Sequence, residues 1–197
     1  MQRFQRLLHA TDPELAAHSK RAGLLAADIA ATMSLERRRI AGLQRAAEMH
    51  DIGKVFISRE ILDKPGPLDD AEWEELRQHP LMGYQLVQSS VPRHVAQVVL
   101  THHERFDGTG YPSALPGSRI PLDARILQVA DAFDAITSTR PYQPALPVQY
   151  ALNEMVRCSG SQFDPSVVEA TVTLASRAKW VTTRFGDQLA FAEGIAV

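Results

Sequence analysis

The sequence predicts an all-α protein on two observations. Apolar residues recur at three- and four-residue spacing along most of the chain, as in Leu15, Ala22, Leu25, Ile29 and Met33 and again in Leu43, Ala46 and Ala47. Helix punctuation falls between these stretches, at Asp12-Pro13, Ser34, Asp69-Asp70 and Pro92. One stretch breaks the pattern: residues 104–121 hold three glycines and three prolines in eighteen positions, too many for a helix interior. A loop of that length in a compact domain is more often functional than incidental.

Taken in order, residues 1–12 read as a short lead-in in which Leu7 and Leu8 could pack. Asp12 as N-cap and Pro13 at the first position start a helix over 13–33. Ser34 caps a second, over 35–51, that carries His50-Asp51. If that helix continues to Lys54, its side chain and those of His50 and Asp51 project toward one region. After Pro65-Gly66-Pro67, Asp69 or Asp70 starts a short helix through Trp73 and Leu76, broken at His79-Pro80. Helices follow over 81–91 and from Val95 to Thr101, then the 104–121 loop, then helices over 122–138, 148–157 and 165–178. In the tail, 179–197, two runs rich in Val, Thr and Phe around Gly186-Asp187 fit a short C-terminal β-hairpin. The domain thus spans 13–178, between the lead-in and a C-terminal extension.

Composition limits the partners. A chain of 197 residues suits one domain with a real core. Its formal net charge of -2 supplies no basic field for duplex nucleic acid or an anionic membrane, so an anionic substrate needs a local site. Cys158 is the single cysteine, which excludes an internal disulfide and suits a reducing, cytoplasmic setting. No apolar run approaches a membrane span or a signal-peptide core.

Histidines and acids gather at helix ends and breaks. Glu14 and His18 are four apart on one helix; His50 adjoins Asp51; His79 precedes Pro80; His102 and His103 adjoin the irregular loop; Asp131 interrupts an apolar helix face. Each has an ordinary alternative: an exposed pair for Glu14 and His18, a helix-end residue for His79, a buried hydrogen bond for Asp131. Jointly they are eight candidate ligands, more than one ion needs, and two or three ions sharing bridging acids would use them. Imidazole and carboxylate without thiolate favour iron, manganese or zinc over calcium. Such a centre suits hydrolysis of phosphate esters.

These residues also resemble a known family. His50-Asp51 with Ile52-Gly53-Lys54, then His102-His103-Glu104-Arg105-Phe106-Asp107-Gly108-Thr109-Gly110-Tyr111-Pro112, is similar to the HD-GYP group of HD-domain phosphohydrolases. KPGPL (64–68), VADAFDAITSTRPY (129–142) and FDP (163–165) follow in that family's order. The resemblance implies an HD-domain-like helical bundle with a long irregular GYP loop. It implies two or three divalent ions, iron or manganese first, with zinc, nickel, cobalt or magnesium as alternatives. It also implies hydrolysis of cyclic di-GMP to pGpG, and often on to GMP, in bacterial signalling. By position it makes His18, His50, Asp51, His79, His102, His103 and Asp131 ligands, Asp51 the bridge, and Glu14 a carboxylate for a third ion. Lys54 would meet a phosphate oxygen and serve catalysis with Asp51, and Arg140 would hold a substrate phosphate. Gly110, Tyr111 and Pro112 would line the pocket and meet partners such as GGDEF-domain proteins. Gln143 stands where the family commonly has a lysine, which bears on affinity or substrate choice. An adaptor with little turnover, or a hydrolase of another cyclic dinucleotide, are the competing readings.

Overall fold

The structure, a computed structural model, describes residues 2–139 and 144–177. Ten α-helices are present among them: α1 Gln2–Thr11, α2 Pro13–Thr32, α3 Arg37–Ala47, α4 Arg59–Leu62, α5 Asp70–Leu76, α6 His79–Val87, α7 Arg93–Thr101, α8 Leu122–Thr137, α9 Val148–Arg157 and α10 Pro165–Ser176. Two 3-10 turns, Ile52–Phe56 and Gly117–Arg119, complete the list of regular elements among the described residues. The expected hairpin in the tail, with Arg140 and Gln143, lies outside the described residues.

Helix α2 is the hub. Asp12 caps it, its side chain accepting the Leu15 N–H at 2.9 Å. Leu25, Ala26, Ile29 and Ala30 are buried along one face, and alanines in that stripe let α3 and α8 pack alongside, with α1 and α10 also against it. Leu43, Met49, Ile52, Val99, Leu127, Phe133, Met155 and Phe163 close the core. No helix among the described residues is long and apolar enough to cross a membrane.

Several expectations need correcting. The lead-in is a helix, and Phe4 and Leu8, four apart, bury one face of it in the core, while Leu7 faces solvent. The helix expected over 35–51 runs only from Arg37 to Ala47 and starts at Glu36, with Ser34 in a left-handed turn at φ 59°. A short helix at Arg59–Leu62, capped by Ser58, was not foreseen. The expected break falls after Leu76, but His79-Pro80 already belongs to α6, which starts two residues before the expected Leu81, because proline at the second position costs no intrahelical bond.

The FDP stretch has a packing role. Phe163 is 1% exposed. The Asp164 side chain accepts the Ser166 N–H at 2.8 Å at the start of α10 and pairs with Arg125 of α8. Pro165 occupies the first helical position.

Phe163→Ala is expected to cost about 3–5 kcal/mol in urea denaturation, from lost burial and the cavity left behind. Burial alone would raise the Asp164 carboxyl, but hydrogen bonds from Ser166 and Arg125 outweigh it and hold the pKa below the usual range. The pairing therefore stabilises fully above the unfolded value of about 3.9 and is lost as pH falls through the lower folded value. Asp164→Asn, which keeps a good cap, should cost about 1.5–3 kcal/mol at pH 7. Its deficit against the parent protein should shrink on acidification in the same measurement.

Candidate metal centre

Five segments converge beneath the 104–121 loop. His18 comes from α2, His50 and Asp51 from the turn after α3, His79 from the start of α6, His102 and His103 from the end of α7, and Asp131 from the middle of α8. Their ligand atoms form two groups, His18, His50 and Asp51 in one, and Asp51, His79, His102 and His103 in the other, each within 4.8 Å. Asp51 belongs to both.

The histidines are aimed by a repeated device. The Nδ1 of His50 meets the Ala47 carbonyl at 2.7 Å, that of His79 the Leu76 carbonyl at 2.7 Å, and that of His102 the Val99 carbonyl at 2.8 Å. Each partner lies three residues back, in the last turn of a helix, where carbonyls lack an intrahelical donor. A carbonyl only accepts, so Nδ1 carries a proton and Nε2 is the nitrogen turned to the centre. His18 is held by a carboxylate instead: its Nδ1 lies 2.7 Å from Asp134 Oδ2, and Arg21 grips the same carboxylate with bonds of 2.8 and 3.0 Å. Partners of this kind orient metal-binding imidazoles.

Asp51 faces both ways. Its Oδ2 is 3.3 Å from His50 Nε2, and its Oδ1 is 3.2 Å from His79 Nε2 and 3.9 Å from His102 Nε2. Asp131 Oδ1 lies 2.9 Å from His18 Nε2 and 3.7 Å from His50 Nε2. His50 Nε2 and Asp51 Oδ1 are fully buried without a hydrogen-bond partner. Leaving two buried polar atoms unsatisfied at one point is costly unless something charged binds there. The donors therefore fit divalent cations held by imidazole and carboxylate.

The charges agree. Burial would lower the His50 pKa, but the carboxylates of Asp51 and Asp131 outweigh it and push it up to about 10. His18 is likewise raised against burial by hydrogen bonds to Asp131 and Asp134. Burial would raise Asp51 and Asp131, yet the facing histidines hold both well below the usual carboxylate range. His102 is lowered by burial and by the neighbouring imidazoles, and burial with His79 brings His103 down to about 3. Two ionised carboxylates thus face neutral imidazoles on one side and proton-holding imidazoles on the other. A cation entering there would displace those protons.

The turn after α3 corrects the expectation of one continuous helix to Lys54. The chain tightens into i→i−3 bonds, Ile52 N–H to Met49 and Lys54 N–H to Asp51. In a 3-10 turn, side chains three apart eclipse, and Lys54 Nζ sits 2.7 Å from Asp51 Oδ2. Gly53 is obligatory: a Cβ there would overlap the His79 carbonyl oxygen, so glycine lets this turn meet the start of α6 backbone to backbone.

The loop is folded on buried Glu104, whose carboxylate accepts the N–H groups of Ser113 at 2.7 Å and Leu115 at 2.9 Å. Gly108 has φ 81°, while Gly110 lies so close to the backbone of Glu104 and Arg105 that no Cβ fits. The Tyr111 ring is thereby stacked on His103, centroids 4.9 Å apart and 28° between planes. Pro112 is exposed.

Seven of the eight ligand candidates converge here. Glu14 stands exposed one turn before His18 and, among the described residues, belongs to neither ligand group. Arg140 lies outside the described residues. Sequence reading missed Asp134, Arg21 and Glu104. Asp134 was legible as a second acid three residues after Asp131 on an apolar helix; Arg21, three residues after His18, had no comparable signal.

Asp134→Asn keeps the shape of the side chain and removes its charge. Metal affinity, measured by chelator competition, is expected to fall about 10–100-fold with helical content unchanged by circular dichroism.

Comparison with known proteins agrees with this geometry. A family model described as HD domain matches residues 2–167. A cyclic di-GMP phosphodiesterase of Thermotoga maritima is 39% identical over 180 residues, covering 90% of this chain and 49% of that protein. The 3'3'-cGAMP-specific phosphodiesterase 3 of Vibrio cholerae is 38% identical over 168 residues, covering 85% of this chain and 36% of that protein. The chain therefore spans about half or less of the length of these curated relatives. In fold, the crystal structure of the Vibrio cholerae cyclic GMP-AMP-specific phosphodiesterase V-cGAP3 matches with a TM-score of 0.67 at 20% identity, over 84% of this chain and 45% of that one. With its His-Asp pair, its helical bundle and a matching model over most of its length, the chain belongs to the HD domain family, and within it resembles the HD-GYP group.

Proposed function

We propose that this chain is a metal-dependent phosphodiesterase that hydrolyses cyclic di-GMP to pGpG and/or GMP. The observation that carries the reading is Asp51, one carboxylate with an oxygen toward each of two imidazole groups and a lysine against it. In this reading His18, His50, Asp51 and Asp131 serve one ion, Asp51, His79, His102 and His103 a second, and Glu14 reaches a third. Divalent ions bound there, iron or manganese first, would activate water and neutralise phosphate oxygens.

The chain's own groups supply the rest. Lys54 is placed to meet a non-bridging or departing oxygen of a phosphodiester lying over Asp51, and to stabilise the charge that grows on it. Tyr111, fixed over His103, forms one wall, with Gly110 bringing the backbone close. Arg140 as a phosphate clamp and GGDEF-domain proteins as partners of the Pro112 tip rest on the resemblance alone. The relative named for 3'3'-cGAMP favours a second reading, a mixed cyclic dinucleotide as substrate of the same chemistry. An adaptor without turnover is disfavoured, because binding alone gives no reason for seven converging metal-facing groups.

Metal-loaded protein incubated with cyclic di-GMP should yield pGpG or GMP by chromatography; neither product with iron, manganese or other divalent ions would refute the reading. Asp51→Ala should lose both bound metal and turnover. Lys54→Met should retain its metal and lose about 10²–10³-fold in kcat, the scale of a charge-stabilising donor.

A further inference from the structure

Outside the ligand groups, a row of rings and one cation leads from the surface to the metal centre. Trp73 lies in α5 and Arg77 is its C-cap, one turn on. The Arg77 Cζ is 5.8 Å from the Trp73 ring centroid and 5.9 Å from that of Tyr111. Tyr111 stacks on His103, which belongs to the ligand group of Asp51, His79 and His102. A guanidinium attracted to ring faces keeps its N–H edge for other partners. Among the described residues no ion pair or hydrogen bond occupies that edge.

We propose that Arg77, set between Trp73 and Tyr111, is a guanine-reading residue of the substrate site. The inference rests on the cyclic dinucleotide reading and adds to it the base that is recognised. The scissile phosphate belongs over Asp51 and Lys54. The rings of Tyr111 and His103 stand between Arg77 and the ligand group, so in this reading Arg77 faces a base of the dinucleotide and not the reacting phosphate. Guanine offers two acceptors, O6 and N7, side by side, and the guanidinium fork matches both. Adenine offers N7 beside an amino donor, which the fork opposes. One such residue accepts cyclic di-GMP and the mixed guanine–adenine dinucleotide, because each carries a guanine, and disfavours cyclic di-AMP.

The test uses Arg77→Lys, which keeps the charge and loses the fork, and Arg77→Ala; the position is on the surface, so both should fold. With metal-loaded protein, kcat/KM and calorimetric Kd are measured for cyclic di-GMP, 3'3'-cGAMP and cyclic di-AMP. The preference for each guanine-bearing substrate over cyclic di-AMP should fall at least about fivefold in both variants, the low end of a bidentate guanine contact. An unmoved preference overturns the inference, whether overall activity falls or not. A parent protein that neither binds nor hydrolyses any cyclic dinucleotide overturns the proposed function, and this inference with it.

Discussion

The centre depends on a single carboxylate placed at the junction of two groups of imidazoles, buried and ionised. Asp51 is 2% exposed, and a charge so deep in a small domain is tolerable only if its surroundings repay the lost hydration. Lys54 and the histidines do so in part, and the oxygen left without a partner marks where the remainder must come from. The surrounding architecture serves to hold that carboxylate between fixed neighbours. Spare carbonyls in the last turns of α3 and α7 orient the rings of His50 and His102, three residues on. Helix α8 brings Asp131 to the same centre and Asp134 to hold His18.

Close backbone approach is the second constraint. The turn carrying Asp51 can press against α6 only because residue 53 has no side chain, and that contact sets Asp51 against His79. The loop repeats the device at Gly110, where the missing Cβ lets Tyr111 settle onto His103. Both glycines therefore act on the geometry of candidate ligands through backbone contact alone, Gly53 against His79 and Gly110 against His103.

The candidate ligands that converge were legible in the sequence because chemistry marks them: histidines beside acids at helix ends have few other reasons to recur. The backbone that presents them was less legible. The helix over 35–51 was drawn too long, since Met49 and His50 continue its apolar spacing while the hydrogen bonds have already tightened. The grouping of His50, Asp51 and Lys54 survives that error, because a 3-10 turn also aligns residues three apart. The lead-in went unread as a helix because Phe4 and Leu8 are a single apolar pair, too short a signal without the surface they cover. Glu104 was hidden for the opposite reason. Its partners are backbone N–H groups nine and eleven residues ahead, a relation no local pattern displays.

That first helix changes what counts as the scaffold of the centre. Helix α1 packs on α2 and on the 3-10 turn over 52–56, and Leu8, Asp12, Leu15 and Lys54 line a cavity of about 120 Å³ between them. Asp12, at the junction, caps α2 with one carboxylate oxygen and pairs with Arg59 through the other at 3.2 Å. The same short segment thus fixes the start of the helix that bears His18 and borders the turn that bears Asp51 and Lys54. Both ligand groups hold through Asp51, so any force that shifts α1 acts on the two of them together. Residues 1–12 are accordingly part of the site's support, and a description of the domain that begins at Pro13 cuts through it.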